Sequence, residues 1–277
     1  MSMIVFSIVV HNEYYWEVDS YISLIASYNQ FNKNNNDINI YIFDNTDNRK
    51  DITPPAQKNN IKIHYIALGE NKGISKAYNY LAKIALKNGF EWIVFLDQDT
   101  HLPLDFYSKY IDKIEEKSSS FLLAIPIIKS NQQILSPCLY INYRSKKLNV
   151  VPNQINLKNH SAINTGLLVS CDFFLNYGGY NESLFVDFCD HDFFKKISKY
   201  VKKIDIINTT LIQDFSTDTN SLLKALFRYN IFLRDLKVYR EDKSKIKILL
   251  FVDVPHLLRL TFKYKSLQFI KLKFGIK

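Results

Sequence analysis

Two aspartates of this 277-residue chain, Asp97 and Asp99, lie one residue apart at the end of the apolar run from Trp92 to Leu96. An uninterrupted apolar run of this length is typical of a buried parallel strand. In open α/β sheets, ligands bind beyond the carboxyl ends of the strands, and paired carboxylates there can hold a divalent cation that binds a phosphate. We therefore interpret Asp97 and Asp99 as a candidate site for Mg2+ or Mn2+. The alternative is a surface turn whose aspartates are solvated.

Three further aspartates, Asp187, Asp190 and Asp192, fall within six residues of one another, beside His191. Carboxylates this close repel one another unless a cation or a proton intervenes. At least one of their pKa values is therefore expected to rise toward the range useful for a general base. The alternative is a helix start, where aspartates satisfy free backbone N–H groups and the helix dipole.

Polar residues also follow three other apolar runs that we predict to be strands. They are His11, Asn12 and Glu13 after the first, Asp44 and Asn45 after the second, and Lys72 and Gly73 after the third. Four polar strand ends in succession indicate a nucleotide-binding edge, where Asp44 could accept from a base N–H and Lys72 could meet a phosphate. Gly73 would permit close backbone approach. Taken singly, each of these residues is also a common turn former.

The first hundred residues alternate between strand and helix patterns. Strands are predicted at Ile4 to Val10, Ile38 to Phe43, Ile61 to Ile66 and Trp92 to Leu96. Apolar residues recur at helical spacing from Val18 to Tyr28 and from Ile74 to Ala85. This alternation predicts an α/β fold with a mostly parallel, doubly wound sheet flanked by helices.

The pattern is less regular after residue 102. Helices are predicted at Leu104 to Lys117, Asp190 to Tyr200 and Ser221 to Tyr239, and strands at Phe121 to Ile128, Ile134 to Tyr143 and Leu167 to Ser170. The stretch from Arg144 to Ser161 is polar and is predicted to be a mobile loop. Pro255 is expected to divide the last segment into two helices.

The positive charge is concentrated in the last segment. Residues 243–277 contain nine Lys or Arg and one acid, Asp253, so they carry +8 of the total +9. Leucines and phenylalanines are interleaved with these cations, which is the composition of a helical extension that lies on an anionic membrane surface. The alternative is that the apolar face packs on the main domain. Basic and aromatic residues form no groove pattern elsewhere, so no nucleic-acid partner is predicted.

Two other features of the composition bear on location. No apolar stretch has the length of a membrane span, and the first residues lack the pattern of a signal peptide. The three cysteines, Cys138, Cys171 and Cys189, form no CxxC pair. We therefore expect a cytoplasmic protein, peripheral on the inner face of the cell membrane.

Several ordered segments resemble one family. SIVVHNE, IFDNTDN, ENKGISKAYN, FLDQDT, NTGLLVS and GGYNESLFVDFCDHDFF are similar to the inverting glycosyltransferases of family 2, which have the GT-A fold with a Rossmann-like sheet. The FVDFCDHD stretch is most similar to the rhamnosyltransferase branch. The resemblance covers roughly Met3 to Arg228, and the segment from Asp242 onward matches nothing we recognise.

The resemblance implies a role for each matching residue. Asp44 would contact the nucleobase, Asp97 the ribose or metal, and Asp99 the metal that bridges the donor diphosphate, while Asp190 would be the base. The acceptor or sugar pocket would include Asn164, Thr165, Gly166, Asp187 and His191. The reaction implied is transfer of a sugar with inversion, such as L-rhamnose from dTDP-rhamnose or a sugar from a UDP-sugar, to a glycan or lipid-linked acceptor. Residues 1–102 would form a nucleotide-binding half and 103–240 an acceptor half, followed by the basic tail at 241–277.

One residue departs from the family pattern. Family members often have a histidine after the strand that follows the base, where it helps to hold the metal, but this chain has Gln213 and Asp214 there. Two other functions are considered: a sugar-nucleotide-binding or membrane-scaffolding protein without turnover, and a metal-dependent phosphatase. The phosphatase pattern of Asp-x-Asp-x followed by Thr or Val fits poorly, because Thr100 comes directly after Asp99.

Overall fold

Alternating strands and helices build the first half of the chain, as the sequence predicts. The computed structural model describes residues 4–31, 37–49, 52–56, 58, 60–116, 122–213 and 221–275. Its strands are β1 (Ile4–Val10), β2 (Ile38–Asp44), β3 (Ile61–Ala67), β4 (Trp92–Asp97), β5 (Thr100–His101), β6 (Leu123–Ser130), β7 (Gln133–Ser136), β8 (Cys138–Ile141), β9 (Arg144–Lys146), β10 (Gln154–Asn156), β11 (His160–Ser161), β12 (Leu168–Ser170) and β13 (Lys203–Gln213). Its helices are α1 (Asp19–Phe31), α2 (Ile74–Lys87), α3 (Phe106–Glu115), α4 (Cys171–Asn176), α5 (Cys189–Ile197), α6 (Leu222–Tyr239), α7 (Lys245–Ile248), α8 (Val254–Tyr264) and α9 (Gln268–Phe274).

The central sheet has the strand order β10-β13-β6-β12-β4-β1-β2-β3, with β5 pairing with β13 and β7 with β6. Strands β4, β1, β2 and β3 are parallel, and Ile8 of β1 lies opposite both Ile42 and Leu96. Strand β12 runs antiparallel between β4 and β6, while β6 and β13 are parallel to each other. The predicted α/β fold with a mostly parallel sheet is thus confirmed.

Both faces of this sheet are buried, which explains why its strands are apolar throughout. Along β4, Ile93 and Phe95 face one core cluster while Val94 and Leu96 face the other. Helix α2 packs in the first cluster and helices α1 and α3 pack in the second. The sheet therefore carries a layer of helices on each side, and its strand ends are free to form a site.

Two predictions for the middle of the chain are wrong. The predicted strand from Ile134 to Tyr143 is divided at Pro137 into β7, which pairs with β6, and β8, which joins a separate sheet of order β11-β8-β9. Proline has no N–H to donate to a strand ladder, so pairing stops there. The stretch from Arg144 to Ser161, predicted to be a mobile loop, contains the short strands β9, β10 and β11.

The prediction that Pro255 divides the tail is also wrong. Helix α7 continues through a π-helical turn (Leu249–Asp253) into α8, and Pro255 lies in the first turn of α8. The wider turn accommodates a residue that cannot donate the regular helical hydrogen bond. The break comes instead at Lys265, whose φ is +47°. Among the helices of the described ranges, none is long and apolar enough to cross a membrane.

Part of the tail packs on α6. The fully buried Phe269 of α9 lies 5.6 Å from the Tyr229 ring, and the His256 ring of α8 lies 4.2 Å from Phe232. His256 Nδ1 is 3.1 Å from Arg259 Nη2. Burial, together with the Arg259 and Arg228 charges, lowers the pKa of His256 to about 4. The packing therefore requires a neutral imidazole.

We predict that this histidine makes the fold sensitive to acid. Because the unfolded chain titrates near pH 6.5, unfolding takes up a proton at His256 once the pH falls below that value. The contribution of neutral His256 to the free energy of unfolding is complete above about pH 6.5 and is lost as the pH falls toward 4. His256→Gln should reduce the loss in free energy of unfolding between pH 7 and 4.5 by about 2 kcal/mol, measured by urea titration. The exposed His101→Gln is the control, and equal acid sensitivity of wild type and His256→Gln would contradict the assignment.

Candidate active site

The carboxyl ends of the parallel strands are joined by hydrogen bonds. The Asn45 N–H donates to the Val10 carbonyl at 2.8 Å, and the His11 N–H donates to Gln98 Oε1 at 2.6 Å. The Lys72 N–H, in the loop after β3, donates to Asn45 Oδ1 at 2.7 Å. The four predicted polar strand ends therefore meet at one edge of the sheet.

Gln98 is central to this edge, although its only distinguishing feature in the sequence is its position between two aspartates. Besides accepting from His11, its Nε2 donates to Glu13 Oε1 at 3.1 Å. The Asn12 N–H donates to Thr46 Oγ1 at 2.8 Å. These bonds fix the loop that follows β1, so the residues predicted to bind the donor lie together.

Asp44 is almost inaccessible, with 1% of its surface exposed. Its carboxylate accepts from the Thr46 N–H at 3.0 Å, the Tyr65 hydroxyl at 2.7 Å and Arg49 Nη1 at 3.1 Å. The role of Arg49 was not predicted from the sequence, because Arg49 lies in a polar loop five residues after Asp44. Contact between Asp44 and a base stays a prediction, and Arg49 covers the approach to it.

Aromatic rings lie beside Arg49. Its guanidinium is 4.5 Å from the centre of the Tyr14 ring, which stacks on Trp16 at 4.8 Å with an interplanar angle of 6°. These three side chains, with Ile52 and Thr53, line an open cavity. Planar rings and a guanidinium offer flat surfaces on which another ring can stack.

Gly73 allows a close approach, but the partner is another part of the chain. Its φ is +79°, and a Cβ at this position would lie 2.7 Å from the Phe185 carbonyl oxygen. The next residue, Ile74, donates its N–H to the same oxygen at 2.7 Å. The neighbouring Lys72 pairs through Nζ with Glu70. The loop before α2 is therefore held against the segment that leads to Asp190.

The two aspartates after β4 share one amide. Gln213 Nε2 lies 3.4 Å from Asp97 Oδ2 and 3.3 Å from Asp99 Oδ1. Asp97 Oδ1 also accepts from the Tyr78 hydroxyl at 2.8 Å and from Asn164 Nδ2 at 3.2 Å. Burial, reinforced by the Asp99 charge, raises the pKa of Asp97 to about 6. The pair is thus a convergent, partly desolvated acidic site rather than a wet turn.

This arrangement bears on the predicted metal. Within the described ranges, no group of three or more His, Cys, Asp or Glu side chains is arranged to hold a metal ion. Two carboxylates nevertheless converge on one amide, and Gln213 Oε1 is buried without a hydrogen-bond partner among the described atoms. Carboxylate and amide oxygens are the ligands that Mg2+ and Mn2+ prefer, with the remainder supplied by phosphate and water. The residues therefore fit such a cation, while Asp214 lies outside the described residues.

The segment 164–166 supports the end of β4. The Asp97 N–H donates to Thr165 Oγ1 at 3.1 Å, and this oxygen is 2.8 Å from Thr100 Oγ1. Gly166 has a φ of +78°, and a Cβ there would collide with the Pro126 ring. Asn164 and Thr165 thus orient the acidic pair, and their predicted place in an acceptor or sugar pocket stays a prediction.

Two of the three aspartates in the acidic cluster are neutralised by side-chain cations. Asp187 forms two bonds with Arg228, at 2.5 and 2.7 Å, and Asp192 pairs with Lys243 at 2.9 Å. Burial raises the pKa of Asp187, and Arg228 opposes this rise. Asp190 has no ion pair among the described residues, and its Oδ1 accepts the His191 N–H at 2.7 Å. Of the three carboxylates, Asp190 is therefore the one left available.

A buried residue that the sequence did not indicate holds this segment. Asp235 of α6 is fully buried and accepts the backbone N–H groups of Phe185, Val186 and Asp187 at 3.0, 2.8 and 2.9 Å. The segment then reaches Phe188, whose φ is +68°, and enters α5. Asp235 therefore positions the chain that carries Asp190.

The His191 ring contacts residues of the small sheet β11-β8-β9. It stacks on Tyr140 at 4.3 Å, with Nδ1 2.7 Å from Ser161 Oγ and Nε2 3.2 Å from Ser145 Oγ. The Asp190 charge, in contrast, reaches Asp97, because it adds to the rise in the pKa of Asp97 that burial and Asp99 cause. The Asp190 charge thus reaches both Asp97 and Tyr140 of the small sheet.

Comparison with known sequences and structures identifies related proteins. The family model described as Glycosyl transferase family 2 matches residues 7–170. A curated relative, dTDP-rhamnosyl transferase RfbF of Shigella flexneri, is 29% identical over 163 residues, which cover 58% of this chain and 55% of the relative. The match thus spans about half the length of that relative.

Solved structures share the fold at low sequence identity. S. aureus TarS is 13% identical with a TM-score of 0.51, covering 98% of this chain and 49% of that one. TarS 1-349 in complex with UDP-GlcNAc is 14% identical with a TM-score of 0.52, covering 97% and 81%. GalNAc-T7 with UDP, GalNAc and Mn2+ is 13% identical with a TM-score of 0.53, covering 95% and 58%. The chain is therefore similar in fold to GT-A glycosyltransferases.

We predict that Asp235→Asn loosens the segment before Asp190. An amide must turn its own NH2 toward one set of the three backbone donors, so at least one buried N–H loses its acceptor, at a cost of about 1–3 kcal/mol. Urea unfolding should show this loss, and hydrogen exchange should speed up at residues 185–187. Glu241→Gln, an exposed change just beyond α6, is the control. Unchanged exchange at 185–187 in Asp235→Asn would contradict the positioning role.

Proposed function

The chain belongs to glycosyl transferase family 2, and we propose that it is an inverting enzyme that moves L-rhamnose from dTDP-rhamnose onto a hydroxyl of a growing surface polysaccharide or lipid-linked glycan. The observation that carries the proposal is that Asp190, in contrast to Asp187 and Asp192, has no ion pair among the described residues, and that its charge reaches Asp97 of the convergent pair Asp97 and Asp99. The similarity to a dTDP-rhamnosyl transferase supports the donor sugar. A UDP-sugar is the second candidate donor, because solved structures of similar fold contain UDP or UDP-GlcNAc.

The donor nucleotide is proposed to bind at the strand ends of residues 1–102. The Tyr14, Trp16 and Arg49 surface beside Asp44 can stack on a base. Lys72 is half-exposed beside its partner Glu70, so its ammonium can turn to a phosphate. Residues 103–240 would then hold the acceptor, with Asp190 between the two halves.

Asp97 and Asp99 are proposed to hold Mg2+ or Mn2+, with the Gln213 amide oxygen as a third ligand after half a turn of the amide. When bound, the cation stabilises the charge of the departing nucleoside diphosphate. Gln213 Oε1 supports this assignment, because it is buried and has no hydrogen-bond partner among the described atoms. Gln213 thus takes the place of the histidine that family members often have.

Asp190 is proposed to act as general base. It takes the proton of the acceptor hydroxyl while that oxygen forms a bond to the sugar C1 from the face opposite the phosphate. The bond from C1 to the phosphate oxygen breaks in the same step, so the anomeric configuration inverts. Arg228 and Lys243 neutralise the flanking aspartates, which leaves the Asp190 carboxylate free to accept this proton.

We predict that Asp190→Asn separates binding from transfer. Donor affinity, measured by calorimetry with dTDP-rhamnose and each of Mg2+, Mn2+ and chelator, should change by no more than about twofold. Release of dTDP in the presence of acceptor should fall by about a hundredfold to ten-thousandfold, the usual contribution of a general base. Asp192→Asn, two residues away and paired with Lys243, is the matched control and should keep most of the activity.

Three outcomes would change the proposal. Full activity of Asp190→Asn would remove the base assignment. Binding of UDP-sugars without binding of dTDP-rhamnose would remove the rhamnosyl assignment, while the assignment to glycosyl transferase family 2 would stand. A wild type that binds donors but never releases the nucleotide would favour the non-catalytic scaffold.

We further propose that residues 243–277, with the start of α6, rest on an anionic membrane at the inner face of the cell. Among the described residues, six large apolar side chains there are more than 60% exposed: Leu223, Phe227, Ile246, Phe262, Leu267 and Phe274. Exposed lysines, including Lys263 and Lys265, lie among them. Apolar insertion and about 1 kcal/mol for each lysine near the surface act together in such binding. The protein would then be cytoplasmic and peripheral.

We predict that the full chain sediments with vesicles of 70% phosphatidylcholine and 30% phosphatidylglycerol. A Phe262→Ser, Phe274→Ser variant and a Lys263→Glu, Lys265→Glu variant should each lose most of this binding. Leu86→Ser with Lys87→Glu, an exposed pair on α2, is the matched control and should bind like wild type. Equal binding by both tail variants, or equal binding to pure phosphatidylcholine, would contradict the proposal.

A further inference from the structure

A cavity of about 200 Å3 lies beside α5, and neither of the paired aspartates lines it. It is bounded by the small sheet β11-β8-β9, by α5 and by the start of the tail. His191, the residue after Asp190 and a member of the predicted acceptor or sugar pocket, forms part of its wall, and its other lining residues have no role in the functions proposed above.

Three lysines from three separate segments line the cavity. Lys158 follows β10, Lys195 belongs to α5 and Lys247 to α7. Within the part of the chain that the structure describes, none of the three has a carboxylate within ion-pair distance. In contrast, the two cations that contact the acidic cluster both form ion pairs, Arg228 with Asp187 and Lys243 with Asp192. No described carboxylate therefore forms an ion pair with the three lysines of the cavity, so their ammonium groups are available to an anion from solution.

The aromatic wall of the cavity is fixed. Tyr140 stacks on His191 at 4.3 Å, and its hydroxyl lies 2.9 Å from that of Tyr239. Two serines hold the His191 ring, Ser161 at 2.7 Å and Ser145 at 3.2 Å. Rigid aromatic surfaces of this kind suit the apolar faces of sugar rings, while the lysines suit an anion.

The cavity lies within electrostatic reach of the candidate base. Burial and the neighbouring Tyr239 raise the pKa of Tyr140, and the Asp190 charge adds to the rise. Burial likewise raises the pKa of Tyr239, with smaller contributions from Asp192 and Asp190. A sugar whose hydroxyl reaches Asp190 would thus have its more distant parts near these tyrosines.

We propose that this cavity binds an anionic group of the acceptor, a phosphate or a carboxylate, through Lys158, Lys195 and Lys247, while its aromatic wall contacts an adjoining sugar. The inference rests on the proposed function, because it names the chemical class of the acceptor. Two sources could supply the anion: the diphosphate that joins a glycan to a lipid, or the carboxylate of an acidic sugar. A neutral oligosaccharide acceptor would leave the three lysines without a role.

The test measures anion binding to the full chain with no donor present. Sodium diphosphate and glucuronate are titrated separately, and the ring signals of 13C-labelled His191 and His160 report binding in the cavity. Lys195→Ala and Lys247→Ala should each weaken binding by about tenfold, since a hydrogen bond to a charged group contributes about 1.5–3 kcal/mol. Lys87→Ala, an exposed change on α2 outside the cavity lining, is the control.

The outcomes are distinct. Binding of diphosphate alone supports a lipid-diphosphate acceptor, and binding of glucuronate alone supports an acidic sugar. The proposal is overturned if neither anion moves the His191 signals, or if the double variant Lys195→Ala, Lys247→Ala binds like wild type. Because no donor is used, absence of sugar transfer would refute the proposed function without altering this result. Transfer to a neutral acceptor that the double variant leaves unchanged would refute the cavity alone.

Discussion

The three hydrogen bonds that Asp235 accepts are the interaction on which the candidate site depends. A buried carboxylate is costly unless it is hydrogen-bonded, and backbone N–H groups are equally costly without an acceptor. The bonds satisfy both at once and fix residues 185–187 against α6. The same segment presents the Phe185 carbonyl to the N-terminus of α2. Asp235 thus holds on α6 a segment that also contacts the start of α2.

Other residues on the same face of α6 complete this attachment. Arg228, Phe232, Asp235 and Tyr239 recur at helical spacing, and each contacts the acidic segment: Arg228 pairs with Asp187, while Phe232 and Tyr239 lie 5.5 and 4.5 Å from the Phe188 ring. Phe188 has a positive φ, a conformation that its surroundings must impose. Helix α6 therefore shapes the surroundings of Asp190, because it neutralises the neighbouring Asp187 and fixes the turn at Phe188.

Local patterns in the sequence were sufficient to predict β1 to β4, the acidic pair after β4 and the acidic cluster near Asp190. Each is a contiguous signal, such as an apolar run followed by polar residues. Asp235 and Arg228 gave no such signal, because their partners lie more than forty residues away and their helix has an ordinary apolar pattern. Strands β9 and β11 near His191 were missed because polar strands of two or three residues look like loops. The cavity followed from those strands, so it could not be predicted either.

The contact between Gly73 and Phe185 also limits how this sequence can evolve. A clash with the Phe185 ring could be relieved by a smaller residue at 185, and on that ground alone the two positions would change together. The carbonyl oxygen of residue 185 lies equally close, however, and no substitution removes a backbone atom. No substitution at position 185 can therefore make room for a side chain at position 73. Among related sequences that keep this docking, glycine should persist at 73 while the residue at 185 drifts.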